Sequence, residues 1–161
     1  MIPQLQFNSI WRHAASFHKL LFCVSFRHRR VCPNRTGPQA HEDGREYSRL
    51  LESCTRIQLP IEKTTYAQNI YWVYPLVLSE ETSENAVSVM KKLKDFNIGT
   101  RPFFYPMHLQ PIFNKMGLFK GEKHPNAELL ANKGFYLPCG LGIKQHEIEY
   151  VANCLLRILK D

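Results

Sequence analysis

The chain has 161 residues, 44% of them hydrophobic, with a net charge of +7 and an isoelectric point near 9.3. That length supports one core and one domain with an appendage, and the apolar content excludes a chain disordered throughout. The charge excludes less than it suggests: residues 1–44 carry six Arg or Lys against Glu42 and Asp43, which is +4, and the other 117 residues share +3. No nucleic-acid signature accompanies the excess, so no nucleic-acid partner is expected.

The five cysteines (Cys23, Cys32, Cys54, Cys139 and Cys154) are odd in number and never spaced Cys-x-x-Cys. This argues against a zinc or disulfide framework and for a reducing, cytoplasmic compartment. The longest apolar run, Leu20 to Phe26, is interrupted by Ser25 and too short for a bilayer, so no membrane partner is expected.

Residues 1–41 contain no acidic residue, are rich in His, Arg and aromatics, and show no sustained period of two or 3.6. Three readings compete: an organelle-targeting presequence, a basic arm, or a stretch foreign to the fold, such as upstream sequence translated in the wrong frame. From Arg45 the character changes. The expected division is therefore a basic, unpatterned segment at 1–44, disordered or non-native, and a folded domain at 45–161.

Glu46–Ser53 has helical composition, and Ile57–Pro60 reads as a short strand stopped by proline. Asn69–Ser79 is the strongest strand signal, dense in aromatic and β-branched residues. Its continuous apolarity argues burial on both faces, while Pro75 argues for an unpaired backbone edge. Thr82 or Ser83 can cap the next helix, in which Ala86, Val89, Met90, Leu93 and Phe96 fall at helical spacing and Lys91, Lys92 and Lys94 lie opposite. Asn97 and Gly99 end it, and a strand starts at Thr100. Pro111–Phe119 reads as an irregular turn or short helix. Pro125 suits the first turn of a short helix through Ala131, ended by Gly134. Phe135–Pro138 is the last strand. The final helix, Gln145–Leu159, carries Ile148, Val151, Ala152, Leu155 and Leu159 on a core-facing stripe. The order predicts an α/β fold: a small sheet covered by helices, in two layers.

The stretch Gly99–Pro111 concentrates chemistry. It holds Arg101, His108, Phe103, Phe104 and Tyr105 among three prolines, which keep it extended and partly outside any ladder. A stiff, aromatic, polar-tipped loop makes a good pocket wall, although a covered edge strand has the same composition.

Asn-Ile-Tyr-Trp-Val-Tyr at 69–74, Gly-Thr-Arg-Pro-Phe-Phe-Tyr-Pro-Met-His-Leu-Gln-Pro at 99–111, Gly-Phe-Tyr-Leu-Pro-Cys-Gly-Leu-Gly at 134–142 and Glu-Ile-x-x-Val at 147–151 occur in that order. Together they resemble the C-terminal small domain of the DegT/DnrJ/EryC1/StrS aminotransferases, and most of all the perosamine-synthase branch, over about residues 45–160. The resemblance implies the C-terminal domain of a fold-type I pyridoxal-phosphate (PLP) transferase, from a homodimeric enzyme of amino-sugar and polysaccharide biosynthesis. Such enzymes use a nucleotide-linked keto sugar and an amino-acid amino donor. It also implies that the large domain carrying the PLP lysine lies outside this sequence, because none of the eleven lysines matches that motif. The chain is therefore expected to be a fragment or mis-joined product that binds no PLP and is inactive alone; a non-catalytic module docking on a full-length relative is the alternative. Carried over residue by residue, Arg101, Tyr105 and His108 become the candidate substrate-binding residues, with no catalytic, cofactor-binding or metal-binding residue assigned. Lys91, Lys92, Lys94 and Lys133 are read as solvated. One departure from the family pattern is Lys144-Gln145-His146, where a Ser or Thr cap followed by acidic residues is usual.

Overall fold

The structure, a computed structural model, describes residues 37–140 and 142–160. Most of the basic segment expected to be unpatterned lies outside the described residues.

Helix α1 (Gly37–Leu51) starts well before the helix expected at Glu46–Ser53. The reason is visible in its inward positions: Asp43, Gly44, Tyr47 and Leu51 are buried at helical spacing, while Arg45 and Arg49 face solvent. Pro38 in the first turn lacks only an amide that would have no helical partner. The domain boundary drawn after residue 44 falls inside this helix.

Strands β1 (Ile57–Gln58), β2 (Tyr74–Leu78), β3 (Arg101–Pro102) and β4 (Gly134–Leu137) form one antiparallel sheet in the order β1-β2-β4-β3. All five residues of β2 are buried, as its composition predicts. The strand is shorter than Asn69–Ser79 because Tyr71 takes a left-handed φ of 48° and donates its amide to Asn69 Oδ1 at 2.9 Å. That local Asx turn competes with the ladder for the same backbone. β1 pairs only as far as Gln58 opposite Val77, so Pro75 lies beyond its end and spoils no bond on that side.

Helix α2 (Ala86–Asp95) is capped by Asn85, whose Oδ1 accepts the Ser88 amide at 2.8 Å. Neither Thr82 nor Ser83, the expected caps, fills that role. Asn97 closes the helix with φ 59°, and the Ile98 amide returns to the Leu93 carbonyl at 3.0 Å with the Ile98 side chain buried behind it. A 3₁₀ turn (Met107–Leu109), α3 (Pro111–Lys115) and α4 (Pro125–Lys133) fill the connection between β3 and β4. Helix α5 (Gln145–Lys160) closes the domain.

Tyr74, Leu76 and Leu78 of β2 and Phe135 and Leu137 of β4 meet Tyr47, Val89, Leu93, Ile148 and Leu155 from α1, α2 and α5 in a single core. Each such aliphatic side chain contributes about 1.5–3 kcal/mol by burial. Lys91, Lys92 and Lys94 are exposed as expected, but Lys133 is not simply solvated. Its ammonium donates to the carbonyls of Thr82 at 2.6 Å and Glu84 at 2.7 Å, tying the end of α4 to the loop that enters α2.

Candidate functional site

The segment that leaves β3 is anchored before it is exposed. Arg101 and Pro102 pair with Tyr136 and Phe135, and the Phe103 ring stacks on Tyr136 at 4.6 Å. Phe103 also lies over Gly134, where an added Cβ would stand 2.6 Å from its ring and 2.5 Å from the Leu130 carbonyl. Glycine is therefore required at 134 for close approach. Pro106 is buried, and the 3₁₀ turn after it points His108 inward.

His108 is 6% exposed, and its Nε2 lies 2.9 Å from Glu128 Oε1 on α4. The same carboxylate oxygen accepts the His124 backbone N–H at 2.9 Å, and the two imidazoles meet edge-on with centroids 4.7 Å apart. The amide of His124 foremost, and His108 next, hold the Glu128 carboxyl below its ordinary range. Glu128 was not legible as a partner, since the two residues stand 20 positions apart. This arrangement makes His108 the fastener of the segment to α4.

Arg101 and Tyr105 behave differently. Both are exposed, Tyr105 at 58%, and neither side chain makes a hydrogen bond, ion pair or ring contact with another described residue. No direct bond joins any two of Arg101, Tyr105 and His108. In the same stretch of chain, Phe104, Met107, Leu109, Ile112, Met116 and Leu118 are also exposed. A free guanidinium can take an anionic group through a bidentate fork, and a free phenol can hydrogen-bond a hydroxyl.

No described lysine lines the cavities of about 1000 and 330 Å³, and no described group of three His, Cys, Asp or Glu residues is arranged to hold a metal ion. Lys133, the partly buried one, is committed to two carbonyls. The described residues therefore do not fit PLP by themselves: the cofactor needs a lysine in a cavity and a carboxylate at its ring nitrogen. Among the described residues, no helix is long and apolar enough to cross a membrane.

A small antiparallel sheet backed by helices is a fold shared with solved PLP-dependent sugar aminotransferases. Helicobacter pylori PseC, an aminotransferase of pseudoaminic acid biosynthesis, superposes with a TM-score of 0.67 at 14% identity, over 76% of this chain and 32% of that one. The putative sugar aminotransferase Spr1654 of Streptococcus pneumoniae gives 0.68 at 13% identity, over 78% and 31%. The model of the DegT/DnrJ/EryC1/StrS aminotransferase family matches residues 38–156, and the chain belongs to that family. GDP-perosamine synthase of Escherichia coli O157:H7 is 30% identical over 91 residues, which are 56% of this chain and 23% of that protein. GDP-perosamine synthase of Vibrio cholerae is 26% identical over 85 residues, 53% and 23%. The chain thus spans about a quarter of the length of the curated relatives it matches. These relatives bear out the perosamine-synthase-like branch read from the sequence.

Proposed function

We propose that this chain supplies the small domain of a PLP-dependent aminotransferase acting on a nucleotide-linked keto sugar, with a cofactor lysine that comes from outside these 161 residues. The observation that carries the reading is the pairing of a free Arg101 and Tyr105 with the exposed apolar segment 104–118. Apolar surface of this kind, contiguous in sequence and held by the His108–Glu128 pair, suits a second domain. Arg101 contributes a fork for a phosphate or carboxylate, Tyr105 a hydroxyl or ring for the sugar, and His108 holds the segment without touching substrate. The chain alone is inactive and takes up no PLP, because no described lysine lines the cavities of about 1000 and 330 Å³ and Lys133 is committed to two carbonyls.

Hydrogen–deuterium exchange tests this reading on the 161-residue chain, alone and with the isolated large domain of the E. coli relative. Slowed exchange confined to residues 101–118 supports it, and unchanged exchange there refutes it. The same exposed segment favours a second reading, a non-catalytic module that docks on an intact relative. Protection by the full-length relative, with none by its isolated large domain, selects that reading instead.

A further inference from the structure

Between α1, residues 70–74 and residues 139–140 lies a cavity of about 330 Å³ that the aminotransferase reading does not use. Its lining includes Asp43, Tyr47, Tyr71, Trp72, Tyr74 and Cys139. The volume falls at the lower end of the range for small-ligand sites.

Two observations give this cavity a chemical character. Asp43 is only 6% exposed, yet its one hydrogen bond comes from a neutral group, Gln39 Nε2 to Oδ1 at 2.9 Å. Among the described residues no Lys, Arg or His forms an ion pair with it, and Arg45, two residues on, is committed to Glu62 at 2.9 Å. A buried carboxylate without a cation is costly, and a cation entering beside it would relieve that cost. The walls are aromatic. Tyr47 and Tyr74 have their hydroxyls engaged elsewhere, by the Pro138 carbonyl at 2.8 Å and Ser48 at 3.0 Å, so they offer the cavity ring surface. Tyr71 is 3% exposed, packed against Gly44 and stacked on Tyr74 with centroids 6.0 Å apart, while Trp72 is half-exposed at the rim. Aromatic rings carry negative faces that attract cations, most strongly where water is excluded.

We propose that the cavity bounded by Asp43, Tyr71 and Trp72 binds an alkylammonium group, with Asp43 as counter-ion and the rings as the cage. The inference stands on α1, residues 70–74 and residues 139–140 and is independent of the proposed transamination. Cys139 takes no ionic part: burial pushes its thiol up, so it stays neutral and only lines the wall.

The test is titration of the 161-residue chain with butylammonium and with its neutral isostere 1-butanol, followed by the aromatic resonances of Tyr71 and Trp72. Saturable shifts with butylammonium at about 1 mM or below, at least tenfold tighter than with 1-butanol, support the proposal. Asp43→Asn is expected to remove that preference. Because this variant can fail to fold, Trp72→Ala at the half-exposed rim serves as the second test, with at least threefold weaker binding expected. A lysine-centred tripeptide run beside the free amine distinguishes the two sources of the group, a protein side chain or a small amine. Equal affinity for butylammonium and butanol, no saturation with either, or undiminished binding by a folded Asp43→Asn protein overturns the proposal.

Discussion

Lys144→Thr is expected to stabilise the domain by about 1 kcal/mol. The Lys144 carbonyl accepts the amides of Glu147 at 2.9 Å and Ile148 at 3.1 Å, which makes Lys144 the N-cap of α5. Glu147 already reaches back to the Lys144 amide at 2.8 Å, so half of a capping box is in place. The missing half is a side-chain oxygen at 144 to receive the early amides of the helix, worth ~0.5–2 kcal/mol. Removing a cation from the positive end of the helix dipole adds ~0.3 kcal/mol at this exposed site. For a domain of this size the sum raises Tm by ~3–6 °C. Differential scanning calorimetry measures it, with Lys144→Ala separating the loss of charge from the gain of the cap. A Tm unchanged or lowered in Lys144→Thr, or equal in Thr and Ala, would refute the capping argument.

Other substitutions probe the joints that position the site. Gly44→Ala, which in an open helix would stabilise by about 1 kcal/mol, is expected to destabilise by ~1–3 kcal/mol. The added Cβ would stand 2.3 Å from Tyr71 Cγ, and urea unfolding gives the sign directly. Lys133→Met leaves the Thr82 and Glu84 carbonyls without their donor and is expected to cost ~1–3 kcal/mol in the same assay. The lowered Glu128 carboxyl binds its proton less readily in the folded state than in the unfolded chain, so its contribution is present above pH ~4.3 and is lost as pH falls through the lowered folded value. Glu128→Gln is therefore expected to flatten the acid limb of a stability–pH profile; an identical limb in both proteins would contradict the assigned role.

Elements whose cause is local were readable from the sequence. The stripe on α5 and the continuous burial of β2 follow from side-chain spacing, and both match the structure. Asn97 marked the end of α2 through its own tolerance of a left-handed backbone. Features decided across the fold were not readable. The early start of α1 depends on Gly44 passing under the Tyr71 ring, 27 residues later in the chain. The cap of α2 fell to Asn85, directly before Ala86, and not to Thr82 or Ser83 further upstream, because its carboxamide oxygen accepts the Ser88 amide. At the site, composition singled out residues 99–111 but could not divide them. His108 joins Glu128 and leaves the exposed surface, whereas Arg101 and Tyr105 remain free. The cavity beside Asp43 gave no signal, since its walls come from α1, residues 70–74 and residues 139–140.

The central claim is that residues 37–160 act as the small domain of a sugar aminotransferase with Arg101 facing the substrate. It is tested most directly by grafting them onto the large domain of the E. coli GDP-perosamine synthase and measuring amino transfer to a panel of nucleotide-linked keto sugars. The account predicts measurable turnover in the graft and a loss of at least tenfold in kcat/KM for Arg101→Ala, with the PLP absorbance of the graft unchanged. A folded, PLP-loaded graft that turns over none of the sugars, or one in which Arg101→Ala changes nothing, would contradict it.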